Sequence, residues 1–304
     1  MEVERKNRDI ILTLYAINMR ASHYIRVNPK QLAAIVLILL PFILFSQTNP
    51  KDKSKEIGLV VGTSYYIGDL NQQHFGGRLH PGGGLMFRNN LNRRWSLRGS
   101  VIYSKFGAYD ADSPDYWQRN RNLHFENVLI EGSFVAELNY FEYQVGDKND
   151  FISPFLFLGL SYYDMTPKAE LNGNWYELAP LGTEGQGLPG APEKYRTAGL
   201  AIPMGAGLKV NLASIIAINL EWGMRRTYTD YLDDVSTYYA DPLELEELNG
   251  DLAVLLADQS LVKEGVGGTN AGMQRGDQGR RDWYNFTHIT LSFRIDKKPG
   301  TCWK

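Results

Sequence analysis

Beyond residue 56 the chain is built of segments in which apolar and polar residues alternate. The clearest begins at Val128. Its even positions (Val128, Ile130, Gly132, Phe134, Ala136, Leu138, Tyr140) are apolar or small, and its odd positions include Glu131, Ser133, Glu137 and Asn139. Successive side chains of a strand point to opposite faces, so this pattern predicts a strand with one greasy and one polar face. Seven more segments follow the same rule. Trp95–Ser104, Ile202–Asn211, Ile216–Arg225 and Thr287–Ile295 alternate cleanly; Ile57–Ile67, Gly82–Asn89 and Phe151–Tyr163 less so. The connections run long, short, long, short, long, short, long. Eight strands of about 9–11 residues with that rhythm predict an all-β protein: an eight-stranded antiparallel up-and-down transmembrane β-barrel with long extracellular loops. Both ends of the mature chain are then expected in the periplasm.

The polar faces carry the candidate chemistry. Arg88, Arg98, Lys209, Arg225 and Arg294 share the inward parity with Glu131, Glu137 and Glu221. An eight-stranded barrel is about wide enough for side chains to fill it, so a salt-bridged plug is expected in preference to a pore or a proton path. Pro203 lacks the N–H that a ladder needs. With Gly199, Gly205 and Gly207 around it, it predicts a bulge or sharp bend, and Pro154 raises the same doubt. Aromatic residues cluster at segment ends: Tyr65, Tyr66, Tyr103, Phe106, Tyr109, Tyr162, Tyr163, Tyr228, Trp283 and Tyr284 toward the long loops, Trp95, Tyr140, Phe141, Tyr143 and Phe151 toward the short turns. Two such belts are expected at the two interfaces of an outer-membrane barrel.

The head of the chain changes the compartment. Leu32–Phe45 is a run of 14 apolar residues preceded by Arg26 and Lys30 and followed by Ser46-Gln47. It is short for a spanning helix and reads as a secretory signal, giving residues 1–46 as signal peptide, 47–295 as barrel and 296–304 as a periplasmic tail. Met19 would make a more ordinary start, which leaves residues 1–18 open as an over-extended one. No cysteine near the cleavage point suggests a lipoprotein. The head carries six Lys/Arg and three Asp/Glu, so the remaining 258 residues net about −5. That mild acidity, without a basic block, argues against a nucleic-acid partner.

The four long loops span roughly 69–81, 107–122, 165–198 and 229–281. Within the last, Pro242–Lys263 has leucines at helical intervals (Leu245, Leu248, Leu252, Leu255, Leu256) and suggests two short helices broken at Asn249-Gly250. Loops this long are uncommon without a purpose. No phosphate loop, paired His/Cys metal spacing or nucleophile turn is present, and no cofactor is expected. His124 and His288 are assigned to the long-loop rim, where a lipid-modifying enzyme would need them, but no third group orients them, so no enzyme is expected. Asp110/Asp112/Asp115 and Asp230/Asp233/Asp234 lack the spacing of a calcium loop and are expected to be solvated.

Four stretches together carry a resemblance: Tyr65–Asn71 (YYIGDLN), Pro180–Gly187 (PLGTEGQG), Leu220–Ser236 (LEWGMRRTYTDYLDDVS) and Asp282–Phe286 (DWYNF). The chain resembles the PorG family, an outer-membrane barrel component of the type IX secretion system. The resemblance implies a non-enzymatic barrel in outer-membrane lipid, scaffolding or anchoring a periplasmic ring made of a PorK-like lipoprotein and a PorN-like protein. It names no catalytic residue. The tail fits a ring partner: Lys297, Lys298, Cys302 and Trp303 are the candidate contacts, with the lone Cys302 thiol expected to form an intermolecular disulfide. The alternative is an independent small outer-membrane barrel acting as an adhesin or ligand-binding surface protein through its loops.

Overall fold

The structure, a computed structural model, describes residues 52–73 and 76–296. The expected signal segment, His74 and the tail residues Lys297, Lys298, Cys302 and Trp303 lie outside the described residues.

Nine strands follow one another: β1 (Ser54–Ile67), β2 (His80–Asn90), β3 (Trp95–Tyr109), β4 (His124–Asn139), β5 (Ile152–Leu171), β6 (Asn174–Glu177), β7 (Ala198–Asn211), β8 (Ile216–Thr227) and β9 (Trp283–Arg294). Eight of them form the barrel. Each pairs antiparallel with its neighbour along the chain, and β9 closes on β1 from Glu56↔Arg294 to Ile67↔Trp283. Closure pairs the backbone groups that an open sheet edge would leave bare, which hydrocarbon does not tolerate. The outer wall is aliphatic: Leu85, Val101, Ile130, Leu160 and Ile289 are each more than half exposed. Leaving that surface in water would cost about 25 cal/mol per Å², so it requires a lipid neighbour. This is the fold of an eight-stranded outer-membrane barrel.

Several boundaries differ from the sequence expectation. β1 starts at Ser54, three residues before Ile57, and brings Glu56 inside. β4 starts at His124, before Val128, and β5 runs 20 residues to Leu171, past Tyr163. The overhang of β5 folds back on the short β6, with Lys168 opposite Glu177. Pro203 makes neither bulge nor bend in register: Leu158↔Met204 and Ser161↔Ala201 hold one register on both sides of it. The ladder to β5 skips the pairs between them, while pairing with β8 runs through Pro203↔Arg225 unbroken. Pro154 likewise pairs in register, with Leu208.

The aromatic belts divide. Tyr103, Tyr162, Tyr228, Tyr140, Phe141 and Phe151 face outward, but Tyr66, Phe106, Tyr143, Tyr163 and Tyr284 are buried inside. Alternation explains the division, because in a doublet such as Tyr162-Tyr163 only one ring can face lipid.

The loops hold three short helices: α1 (Tyr116–Arg121) between β3 and β4, and α2 (Pro242–Asn249) and α3 (Asp251–Ala257) before β9. α2 and α3 meet at Gly250, whose φ of 82° suits glycine. Asp241 caps α2 by accepting from the Leu243 N–H.

Candidate functional site

The barrel interior is layered along its axis. Toward the short turns lies a charge network. Glu137 on β4 takes three cations: Lys209 Nζ at 2.6 Å, Arg88 Nε at 2.9 Å and Arg98 Nε at 3.0 Å. Arg88 continues to Glu56 at 2.8 Å, and Arg98 to Glu221 at 2.6 Å. The registry pairs Arg88 directly with Arg98, so two like charges lie side by side and Glu137, one strand over, holds them together. Arg225 reaches Glu131 at 3.2 Å, and the Tyr284 hydroxyl donates to the same carboxylate. Seven of the eight expected interior residues thus lie in linked or adjacent pairs. Arg294, also buried, stands apart: it pairs with Asp296 at 3.0 Å and donates to the Val145 carbonyl. Glu56, missing from the expected set, has the same parity as Gly58 and Val60; extending the alternation one pair upstream would have found it.

Above the charges the interior turns aromatic. Tyr66, Phe106, Phe125 and Tyr284 pack on one another, with Tyr66 and Phe125 edge to face at 4.9 Å and Phe106 stacked on Tyr284 at 5.4 Å.

The loops knot over this layer. The Tyr66 hydroxyl lies 2.6 Å from Asp233 Oδ2 and 2.7 Å from Asp282 Oδ1, and accepts from the Asp69 N–H at 3.0 Å. It has a single hydrogen to give. Two carboxylates cannot both accept it, so one of them is a carboxylic acid donating to the phenol oxygen. Burial pushes both Asp233 and Asp282 well above the ordinary carboxylate range, with repulsion from Asp282 adding to the first and from Asp230 to the second. Burial also raises Asp230, to about 7, and Asp234, to about 6. Asp234 accepts from Thr183 and Tyr195 and pairs with Arg275, which also holds Glu184 at 3.0 Å. Glu184 accepts in turn from the Ser236 and Thr237 N–H groups. Arg121 at the end of α1 ties Asp110 at 2.7 Å to the Asp69 and Arg275 carbonyls.

Two expectations fail here. Asp230, Asp233, Asp234 and Asp110 are not solvated loop charge but buried. His288 is not at the rim: it lies inside the barrel, stacked on Phe286 and 3.7 Å from Glu221. His124 is at the rim, accepting from the Glu170 N–H beside Tyr109. The two histidines therefore share no site. Among the described residues no group of three His, Cys, Asp or Glu side chains is arranged to hold a metal ion.

The knot unites the four stretches that carried the resemblance: Tyr66 and Asp69 from the first, Thr183 and Glu184 from the second, Asp233, Asp234 and Ser236 from the third, Asp282 and Tyr284 from the fourth. The longest-range hydrogen bond among them, Tyr66 to Asp282, joins residues 216 apart in sequence.

A protein-family model described as a domain of unknown function (DUF6089) matches residues 33–179. No curated protein matches the chain. Solved structures similar to it include the attachment invasion locus protein Ail of Yersinia pestis, determined in complex with the heparin analogue sucrose octasulfate (11% identity, TM-score 0.38, covering 80% of this chain and 99% of that one). Neisserial surface protein A matches at 9% identity and a TM-score of 0.38 over 80% of this chain and 99% of its own. OprG of Pseudomonas aeruginosa matches at 6% identity and a TM-score of 0.34 over 81% and 98%.

Proposed function

We propose that this protein is the outer-membrane barrel subunit of a type IX secretion machine. In this reading the barrel does not conduct cargo. It anchors a periplasmic ring built of a PorK-like lipoprotein and a PorN-like protein, with its short turns and both chain ends on the periplasmic side. The observation that carries the reading is the convergence just described: the four stretches of the resemblance are the parts of one buried knot, so they mark a shared loop architecture and not scattered coincidences. The filled interior agrees, because Arg88, Lys209, Tyr66 and Tyr284 block the axis. The tail residues Lys297, Lys298, Cys302 and Trp303 remain the proposed ring contacts, with a Cys302 disulfide to a ring subunit.

Affinity purification from detergent-solubilised membranes tests it. Periplasmic ring proteins should co-purify, and a non-reducing gel should show a Cys302-dependent band. A barrel that brings no ring protein down, together with a deletion strain that still secretes normally, would contradict it.

A second reading, a surface barrel that binds ligands through its loops, is favoured by one feature. A pocket of about 330 Å³ opens between the loops, lined by Trp117, Arg121, Tyr239, Glu264 and Asn270. Binding to host or glycan surfaces without any secretion defect would support it.

A further inference from the structure

The outer wall is not uniformly bulky. One ring of outward side chains runs across the strands as Leu138, Leu156, Ala206 and Trp222, each paired in register with the next. The neighbouring ring toward the short turns contains Pro154 beside Leu208. Ala206 and Pro154 are the small members, and where they fall the wall is dented. The dent is a groove of about 680 Å³ lined by Leu138, Tyr140, Phe141, Pro154, Leu156 and Ala206, with Arg94 at its end.

Arg94 and Arg93 are neighbours with opposite fates. Arg93 is held by three carboxylates: Asp150 at 2.8 Å, Asp147 at 2.9 Å and Asp52 at 3.3 Å. Arg94 is exposed and has no carboxylate partner among the described residues. Its guanidinium donates to the Tyr140 carbonyl at 2.9 Å, which aims it along the wall at the edge of the aliphatic belt. Tyr140 and Phe141 flank it, mostly exposed and edge to face at 4.9 Å. A groove with an apolar floor, an aromatic rim and one unmatched cation at the strand end has the polarity of a single ligand: an acyl chain along the strands and an anionic headgroup at the arginine.

We propose that this groove is a specific binding site for a glycerophospholipid, its phosphate on Arg94 and an acyl chain in the dent at Pro154 and Ala206. The proposal rests on the barrel lying in a membrane. It gives the short-turn end, where a periplasmic ring would dock, a fixed lipid beside Arg94.

Native mass spectrometry of the full barrel, reconstituted from vesicles of phosphatidylethanolamine and phosphatidylglycerol and released in mild detergent, tests it. The native barrel should retain one phospholipid. Arg94→Gln should lower that occupancy roughly tenfold, the loss expected for one charge-assisted contact, and Ala206→Trp should abolish it by filling the dent. Diacylglycerol, which lacks the phosphate, should not be retained. Unchanged occupancy in both variants, or equal retention of diacylglycerol, would overturn the site. Insertion into the vesicles is read in the same samples. A barrel that inserts normally but keeps no lipid removes this proposal alone, whereas a protein that never inserts removes the membrane reading beneath it.

Discussion

At the short-turn end Glu137 sits among three cations, while at the long-loop end Asp233 and Asp282 face each other across one tyrosine hydroxyl. Both clusters are fully buried, where unbalanced charge is costly. The first balances its charge with fixed opposite charges; the second reduces its charge with a proton. The same chemical change, acid to amide, should therefore have very unequal consequences at the two ends.

The largest effect is expected at Glu137. Glu137→Gln leaves Arg88, Arg98 and Lys209 facing each other without their shared anion, and breaking a buried pair this way costs about 3–5 kcal/mol. The barrel should lose its heat-resistant folded band on gels at a markedly lower temperature. A midpoint unchanged from the native protein would mean that water or ions reach the network and that the plug is not dry.

Next comes Arg275, which joins Glu184, Asp234 and the Ala257 carbonyl. Arg275→Ala leaves two buried acids without their cation and should cost the cap about 3 kcal/mol. Limited proteolysis should then cut between 229 and 281 while the barrel midpoint stays put. A coupled fall of both would show that cap and barrel unfold as one unit.

Asp282→Asn should be mild, roughly 1 kcal/mol or less. The amide N–H₂ takes over the donation to the Tyr66 oxygen, and its carbonyl still accepts from Leu232. A loss as large as that at Glu137 would contradict the proton assignment.

pH separates the ends further. An acid whose folded pKa is raised binds its proton more tightly folded than unfolded, so its stabilisation is complete below about pH 4, the unfolded value, and is lost as pH rises through the folded value. With Asp230 pushed to about 7 and Asp234 to about 6, hydrogen exchange of the loop over 229–281 should accelerate between about pH 4 and 7, after correction for intrinsic rates. Asp230→Asn should flatten that rise. The smallest effect is expected at the exposed Arg78–Asp112 pair: Arg78→Ala should change cap stability by less than about 1 kcal/mol.

How much of this was legible in the sequence follows the range of the interactions. Alternation is local, so the eight strands and the inward parity of Glu131, Glu137, Lys209 and Arg225 were readable from neighbouring residues. The break between α2 and α3 was readable too, because Asn-Gly is a local signal. Glu56 was lost because the expected strand began at Ile57, three residues after β1 actually starts. The inward tyrosines were lost because a doublet such as Tyr162-Tyr163 hides its own parity. The knot was invisible for a different reason. Asp233 and Asp282 look like ordinary acidic loop residues until the barrel closes and brings β1 beside β9; nothing within a dozen residues of either announces that it will be buried.

Cysteine accessibility in vesicles tests the barrel itself most directly. In a Cys302→Ser background, single cysteines at the outward positions Leu85, Ile130, Leu160 and Ile289 should react with a lipid-dissolved reagent and resist a charged aqueous one. Cysteines at the buried inward positions Ser104 and Ser292 should react with neither until the protein is unfolded. Ready aqueous labelling of the four outward positions, or recovery of the processed protein in solution without detergent, would contradict a filled barrel set in lipid.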